Sequence, residues 1–158
     1  MEETQPIKKT KTVKRDYIFA TGKRKTAVAR VRLYEKAKEG LMWGDKAIAK
    51  GEIFVNEKPI AEYFGGDVSK HLYTLPLRIT NAHQKNYTIT IRVEGGGPAG
   101  QLQAVVVGIA NALHKLDREA HRPILKKKGL LTRDDRARQR RKVGMGGKSR
   151  RKKQSPKR

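Results

Sequence analysis

Residues Gly95-Gly96-Gly97-Pro98-Ala99-Gly100 satisfy G-x-G-x-x-G, after an alternating segment and before a helical one. In a dinucleotide-binding unit such glycines bring backbone N–H groups against a pyrophosphate, and an acid about twenty residues on binds the ribose. Asp117 stands near that distance, but the fingerprint needs a second strand ending in the acid. Here a long helical pattern leads only to more helix and a cationic tail, so dinucleotide chemistry is set aside. The same turn can hold an RNA phosphate on the N–H groups of a helix N-terminus, with Gly97, Gly100 and Gln101 as candidate positions, or it can be simply a tight connection. Gly147-Lys148-Ser149 looks like the end of a P-loop, yet the first glycine of that motif would fall at Lys142. His71, His83, His114 and His121 lack ligand spacing and read as surface or capping residues, and no Ser-His-Asp or paired-carboxylate arrangement stands out. The chain has no cysteine, which removes thiol nucleophiles, disulfide frameworks and cysteine-ligated zinc. No catalytic residue, metal ligand, cofactor or small-molecule substrate is expected.

What the chain has in excess is positive charge: 38 Lys+Arg against 15 Asp+Glu in 158 residues, a formal +23. A charge of this size calls for a polyanion, and RNA, DNA or an anionic membrane surface are the candidates. No stretch approaches the ~18 consecutive apolar residues of a membrane helix. Apolar residues make up 36% of the chain, below the roughly 45–50% usual in a globular domain, so part of it lies outside any core. Residues 1–15 carry five basic and two acidic groups and read as a flexible basic extension without the features of a secretory or transit signal. Residues 16–125, with 17 basic and 11 acidic groups, read as one globular domain. Residues 126–158 carry 16 basic groups against two acidic, a net +14, with only Leu130, Leu131, Val143 and Met145 to bury. Such a segment alone cannot offset its ordering entropy and reads as an extended cationic tail. A non-specific solvated arm would share that composition, whereas the clustered charges punctuated by Gly129, Gly144, Gly146 and Gly147 favour a nucleic-acid-bound one. The last aromatic residue is Tyr87, so the tail is expected to grip phosphates rather than stack bases.

The elements that position these groups follow from periodicity. Ala27–Tyr34 alternates, with Ala27, Ala29, Val31 and Leu33 on one side and Arg30 and Arg32 on the other, and reads as a half-buried strand. Ile53–Val55 and Tyr87–Val93 read as two more strands. Tyr17–Thr21 reads as a fourth, antiparallel to the second across a basic turn at Lys23-Arg24-Lys25. Asn56-Glu57-Lys58-Pro59 reads as a turn. Leu102, Val105, Val106, Ile109, Leu113 and Leu116 form a helical stripe over 99–116, with Pro98 at the first helical position. Beside it run Gly100, Ala104, Gly108 and Ala112, a ridge of small residues that permits close approach to a sheet or to an RNA backbone. Shorter helices are expected near Pro59–Phe64, Asp67–Thr74 and Arg118–Lys128. The class is α+β, a two-layer sandwich with a sheet on one side and helices on the other.

Several ordered landmarks resemble one family. Thr21-Gly22-Lys23-Arg24-Lys25-Thr26-Ala27-Val28-Ala29-Arg30-Val31 looks like the opening signature of the ninth small-subunit ribosomal protein family. Phe54-Val55-Asn56, Tyr63-Phe64, Gly95-Gly96-Gly97 to Gly100-Gln101 and Gly108-Ile109-Ala110-Asn111-Ala112-Leu113 continue it in order. Leu130-Leu131-Thr132-Arg133-Asp134 with Arg136, Arg141-Lys142-Val143-Gly144, Lys148-Ser149-Arg150-Arg151 and the terminal Lys157-Arg158 follow. The resemblance spans about residues 17–158 and implies a four-stranded sheet with helices on one face and a left-handed βαβ crossover. It implies a structural component of the small-subunit head, bound to rRNA beside neighbouring ribosomal proteins, ribosome-bound in a bacterial or organelle cytoplasm, with the bacterial one favoured. The rRNA contacts it implies fall at Lys23, Arg24, Lys25, Arg30, Gly97, Gly100, Gln101, Lys126, Lys127, Lys128, Arg133, Arg136, Arg138, Arg140, Arg141, Lys142, Lys148, Arg150, Arg151, Lys152 and Lys153. The tail tip, Lys157 and Arg158, is implied to reach the anticodon stem-loop of peptidyl-site tRNA. Three departures stand out: residues 35–51 are longer than the family's usual tight turn and include Met42-Trp43, Ala99 replaces a usual serine, and Gln154-Ser155-Pro156 precedes the final pair. Residues 35–51 read as an extended hairpin or a patch for a neighbour. The competing reading is a free-standing nucleic-acid chaperone or architectural protein using the same cations without a fixed site.

Overall fold

Alternation along Ala27–Tyr34 becomes strand β2 (Ala27–Tyr34), with Ala27, Ala29, Val31 and Leu33 inaccessible to solvent and Arg30 and Arg32 exposed on the opposite side. A computed structural model describes residues 16–35, 41–43, 46–82 and 87–139. β1 (Ile18–Arg24) pairs antiparallel with β2 through Arg24↔Ala27. The strand thus runs three residues past the expected Thr21, and Lys23 and Arg24 belong to it rather than to the turn. The connection is only Lys25-Thr26, with Lys25 at φ +52°, because a two-residue link with left-handed backbone follows the twist of the paired strands.

After a two-stranded hairpin, β3 (Leu41–Trp43) with β4 (Lys46–Ile48), the chain enters β5 (Ile53–Val55) and returns in β6 (Lys58–Pro59). Asn56 and Glu57, at φ +46° and +68°, close that return, as a type I′ hairpin turn requires at both central positions. The segment read as a plain turn therefore adds a short edge strand. Helices α1 (Ile60–Tyr63) and α2 (Asp67–Ile79) then lead to β7 (Thr88–Glu94), which lies parallel to β5 and antiparallel to β2. The sheet order is β1-β2-β7-β5-β6, five strands where four were expected. α2 continues beyond the expected Thr74 through Pro76, whose missing N–H would ordinarily end a helix. Tyr73, Pro76 and Leu77 are buried there, and packing outweighs the lost bond.

α3 (Pro98–Leu116) lies across β1 and β2, and α2 and α4 (Arg118–Lys127) pack against it, so the helices occupy one face of the sheet. Val31, Leu33, Ile89, Ile91, Val105, Ile109, Leu113 and Leu125 are the buried centre. Burying each such side chain contributes about 1.5–3 kcal/mol, which outweighs the roughly 1 kcal/mol that a glycine costs inside a helix. Gly108 is there because of space: a Cβ would come within 2.6 Å of Val31 Cγ2. Gly22 faces it from β1, where a Cβ would overlap the Ala104 carbonyl and the Gly108 backbone. At Ala104 and Gly108 the small-residue ridge is a sheet-packing device, the first of its two sequence readings.

Candidate nucleic-acid interface

The glycine turn follows from the same close approach. Gly95 and Gly96 adopt φ +72° and +68°, and Cβ atoms there would sit 2.6 Å from the Thr26 carbonyl and 2.9 Å from Ala27 Cβ. Gly97 is the N-cap of α3, Pro98 opens the helix, and no side chain caps it. Gly97 is exposed with open space around it, whereas Gly100 and Gln101 are half-buried. Gln101 Nε2 donates to the Gly95 carbonyl (3.1 Å) and its Oε1 accepts from the Tyr63 hydroxyl (3.0 Å). Asn56 Nδ2 donates to that hydroxyl (3.3 Å) and to the Val93 carbonyl (3.0 Å), and Asn56 Oδ1 accepts from Val93 N–H (2.9 Å). Asn56, Tyr63 and Gln101, up to 45 residues apart in the chain, form one hydrogen-bonded line that shapes the turn.

A second line fixes the start of the basic tail. α4 ends in a Schellman motif: Gly129, at φ +69°, donates to the Lys126 carbonyl (3.0 Å) and Leu130 to the Leu125 carbonyl (3.1 Å). Leu130 and Leu131 then pack against the core. The boundary drawn at residue 126 thus falls inside α4, and the chain stays attached to the domain beyond it. Arg24 reaches this segment from β1. Its Nε donates to Gln103 Oε1 (2.8 Å), its Nη1 to the Arg136 carbonyl (2.6 Å), and its Nη2 pairs with Asp134 Oδ2 (3.1 Å). Asp134 Oδ1 also accepts from the backbone and Nε of Arg136, both at 3.0 Å. These bonds, led by the Arg136 side chain, hold the Asp134 carboxyl far below the usual carboxylate range and raise the Arg136 guanidinium. Only 13% of the Arg24 side chain is accessible, so this arginine is a strut for the tail.

The other candidates divide by place. Lys23 and Lys25 are exposed at the β1–β2 end; Lys126, Lys127 and Lys128 are exposed at the C-terminal end of α4; Arg133, Arg136 and Arg138 are exposed along the following segment. Arg133 pairs with Asp135 at 2.8 Å. Arg140, Arg141, Lys142, Lys148, Arg150, Arg151, Lys152, Lys153, Lys157 and Arg158 lie outside the described residues. Arg30 is exposed on the helix-free face of the sheet, where Arg92 stands directly opposite it. Glu94 pairs with both, at 3.1 and 3.0 Å. The Arg32 guanidinium lies 5.2 Å from the Tyr17 ring centre, within cation–π range. Sequence reasoning had not placed Arg32 and Arg92 in an interface; alternation put each on the polar side of its strand, but only register brings them together.

Among the histidines, His121 is buried and its Nδ1 lies 2.9 Å from the Leu113 carbonyl, near the end of α3, in a capping role. His71 is exposed, and His83 lies outside the described residues. No helix among the described residues is long and apolar enough to cross a membrane.

The family described as ribosomal protein S9/S16 matches residues 22–158. The chain is 43% identical over 133 residues to the small ribosomal subunit protein uS9 of Maridesulfovibrio salexigens, covering 84% of this chain and 91% of that protein. It is 40% identical over 126 residues to the uS9 protein of Leifsonia xyli subsp. xyli, covering 80% of this chain and 67% of that one. The struts at Arg24, Asn56, Tyr63, Gln101 and Asp134 lie within the matched span, and the chain belongs to the S9 family of small-subunit ribosomal proteins, which is structural and non-enzymatic.

Proposed function

We propose that this protein is a structural element of the small-subunit head that binds rRNA and sends its tail tip to peptidyl-site tRNA. The observation that carries the reading is the Arg24–Asp134–Arg136 strut, which gives a segment of net +14 a fixed point of departure from the domain. A non-specific arm needs no such anchor; a tail that follows one path through folded RNA does. Lys23, Lys25, Arg30, Lys126, Lys127, Lys128, Arg133, Arg136, Arg138, Arg140, Arg141, Lys142, Lys148, Arg150, Arg151, Lys152 and Lys153 meet phosphate, and Gly97 and Gly100 let the backbone approach it. Arg24 and Gln101 serve the interface by shaping it. Lys157 and Arg158 hold the anticodon stem-loop, the arginine as a bidentate fork and the lysine as a point charge. Neighbouring head proteins are further partners, the β5–α1–α2–β7 crossover is left-handed as in the family, and the protein is ribosome-bound in the cytoplasm, bacterial in preference to organellar.

Sedimentation on a low-salt sucrose gradient tests the placement: the chain travels with small subunits, and its absence from that fraction overturns the reading. Similar affinity for unrelated duplexes and single strands would instead identify a free-standing chaperone. If about eight tail cations meet phosphates at roughly 0.7 each, log K falls by about 5–6 per decade of salt. Removing Lys157 and Arg158 lowers tRNA affinity at the peptidyl site while assembly proceeds, and unchanged affinity refutes the tip contact.

A further inference from the structure

Strands β3 and β4 put a hairpin over the sheet face that carries no helix. We propose that the cavity between them binds one unpaired pyrimidine nucleotide of an RNA loop, its base against Trp43 and its phosphate on the facing arginines. The proposal rests on the RNA-binding reading above and adds a site to it.

The hairpin alternates. Cross-strand pairing puts Leu41, Trp43 and Ile48 on one side, and Met42 with Ala47 on the other. Met42 is 65% exposed whereas Ile48 is 4% exposed, so the Leu41–Trp43–Ile48 side is the one turned inward. Phe54 lies beside Thr90 by register, on the opposite side of the sheet from Ile53 and Val55. Ile48 and Phe54 are both buried yet stand outside the main core. The hairpin is therefore seated on the open face, and Trp43 is placed over it.

Phe19, Arg30, Arg32, Trp43, Thr90 and Arg92 enclose a cavity of about 160 Å³. A cavity of about 150 Å³ admits a benzene ring, so this one takes a single six-membered ring and excludes a base pair. Three guanidinium groups against the one carboxylate of Glu94 leave two net positive charges, and Glu94 holds Arg30 and Arg92 in place. On the far side of Trp43 and Arg92, a cavity of about 390 Å³ is lined by Asn56, Glu57, Val93 and Glu94. Its two carboxylates disfavour phosphate, which assigns the anion to the Arg30–Arg32 side. An acidic peptide would match the charge but leave the ring-shaped space unfilled. An unpaired nucleotide satisfies both, since RNA-binding proteins stack splayed bases on aromatic faces and guanidinium planes.

Trp43 is the chain's only tryptophan, so its fluorescence reports on the two cavities it lines, and Arg32, which lines only the smaller one, tells them apart. The full chain is titrated with single-stranded oligouridylate, with a fully paired RNA duplex of equal length, with base-free polyphosphate and with oligoglutamate. Oligouridylate quenches Trp43, while duplex and polyphosphate bind through the tail without quenching. Trp43→Ala weakens oligouridylate binding about 5- to 150-fold, as loss of one stacked base does, and leaves duplex affinity unchanged. Trp43→Phe recovers part of the loss. Should Trp43→Ala fail to fold, Arg32→Gln, at an exposed side chain, weakens oligouridylate selectively. Equal quenching by polyphosphate, or tight RNA binding with no quenching and no variant effect, overturns the site while the RNA reading stands. Quenching by oligoglutamate alone overturns it in favour of protein docking. Failure to bind any RNA overturns the RNA reading and the site with it.

Discussion

Replacing Gly22 by alanine adds one methyl group where β1 and α3 touch backbone to backbone. That Cβ would overlap the Ala104 carbonyl and the Gly108 N–H, and no flexible side chain lies in its path to yield. Inserting a methyl into a packed core costs typically 1–3 kcal/mol, and a backbone-on-backbone clash puts Gly22→Ala at the top of that range, about 3 kcal/mol. The helix must lift off the strand, separating the Val105, Ile109 and Leu113 stripe from Val31 and Leu33. At about 4 °C per kcal/mol for a domain near 100 residues, the melting temperature falls by roughly 12 °C. Gly65→Ala is the matched control: nothing lies within 4 Å of its Cβ, and a compatible glycine-to-alanine change stabilises by about 0.4–1 kcal/mol. Thermal melts of both variants, followed by circular dichroism, should therefore move in opposite directions. Equal melting temperatures would refute the close-packing account and return the small-residue ridge to its alternative use, contact with an RNA backbone.

Asn56→Ala removes both bonds to the Val93 peptide and leaves its groups without that partner, costing about 2–3 kcal/mol in urea denaturation; a loss below about 0.5 kcal/mol would show the line through Tyr63 to be incidental. Arg24→Gln and Asp134→Asn each speed tryptic cleavage after Arg133 and Arg136 several-fold, with the double variant no faster than the worse single, and additive rates would argue against one shared strut. Stability also depends on His114. Desolvation first, then the charges of Arg122 and Arg118, hold its imidazole below the ordinary value. The unfolded chain then takes up the proton first, so the melting temperature declines as pH falls through about 6.5, and His114→Gln flattens that decline. Asp134 acts lower: its depressed carboxyl contributes stability above about pH 4 that is lost on further acidification, and a profile unchanged in Asp134→Asn would contradict this.

Much of the fold was legible because it rests on local period. Alternation along Ala27–Tyr34 and the three-four stripe of 99–116 name their own buried faces, whereas along Tyr87–Val93 Thr88 and Thr90 on the second face are buried as well. The misplaced boundaries share one cause. The extension of β1 to Arg24 depends on its partner strand, the persistence of α2 past Pro76 on burial of Tyr73 and Leu77, and the extra strand β6 on the left-handed pair Asn56-Glu57. Each is a tertiary gain overriding a local preference.

The candidate site divides the same way. Composition and charge placement alone pointed to a polyanionic partner and located most of the net charge in residues 126–158, since net charge is a sum that needs no coordinates. Type could not separate the arginine that meets phosphate from the one that holds the chain, because the two have identical side chains. Folding decided it: Arg24 is enclosed by Gln103, Asp134 and Arg136, while Arg30, Arg32 and Arg92 converge beneath Trp43 through strand register and a hairpin crossing. Contacts between residues some 110 positions apart carry no periodic trace in the chain, and only the packed structure assigns those charges their work.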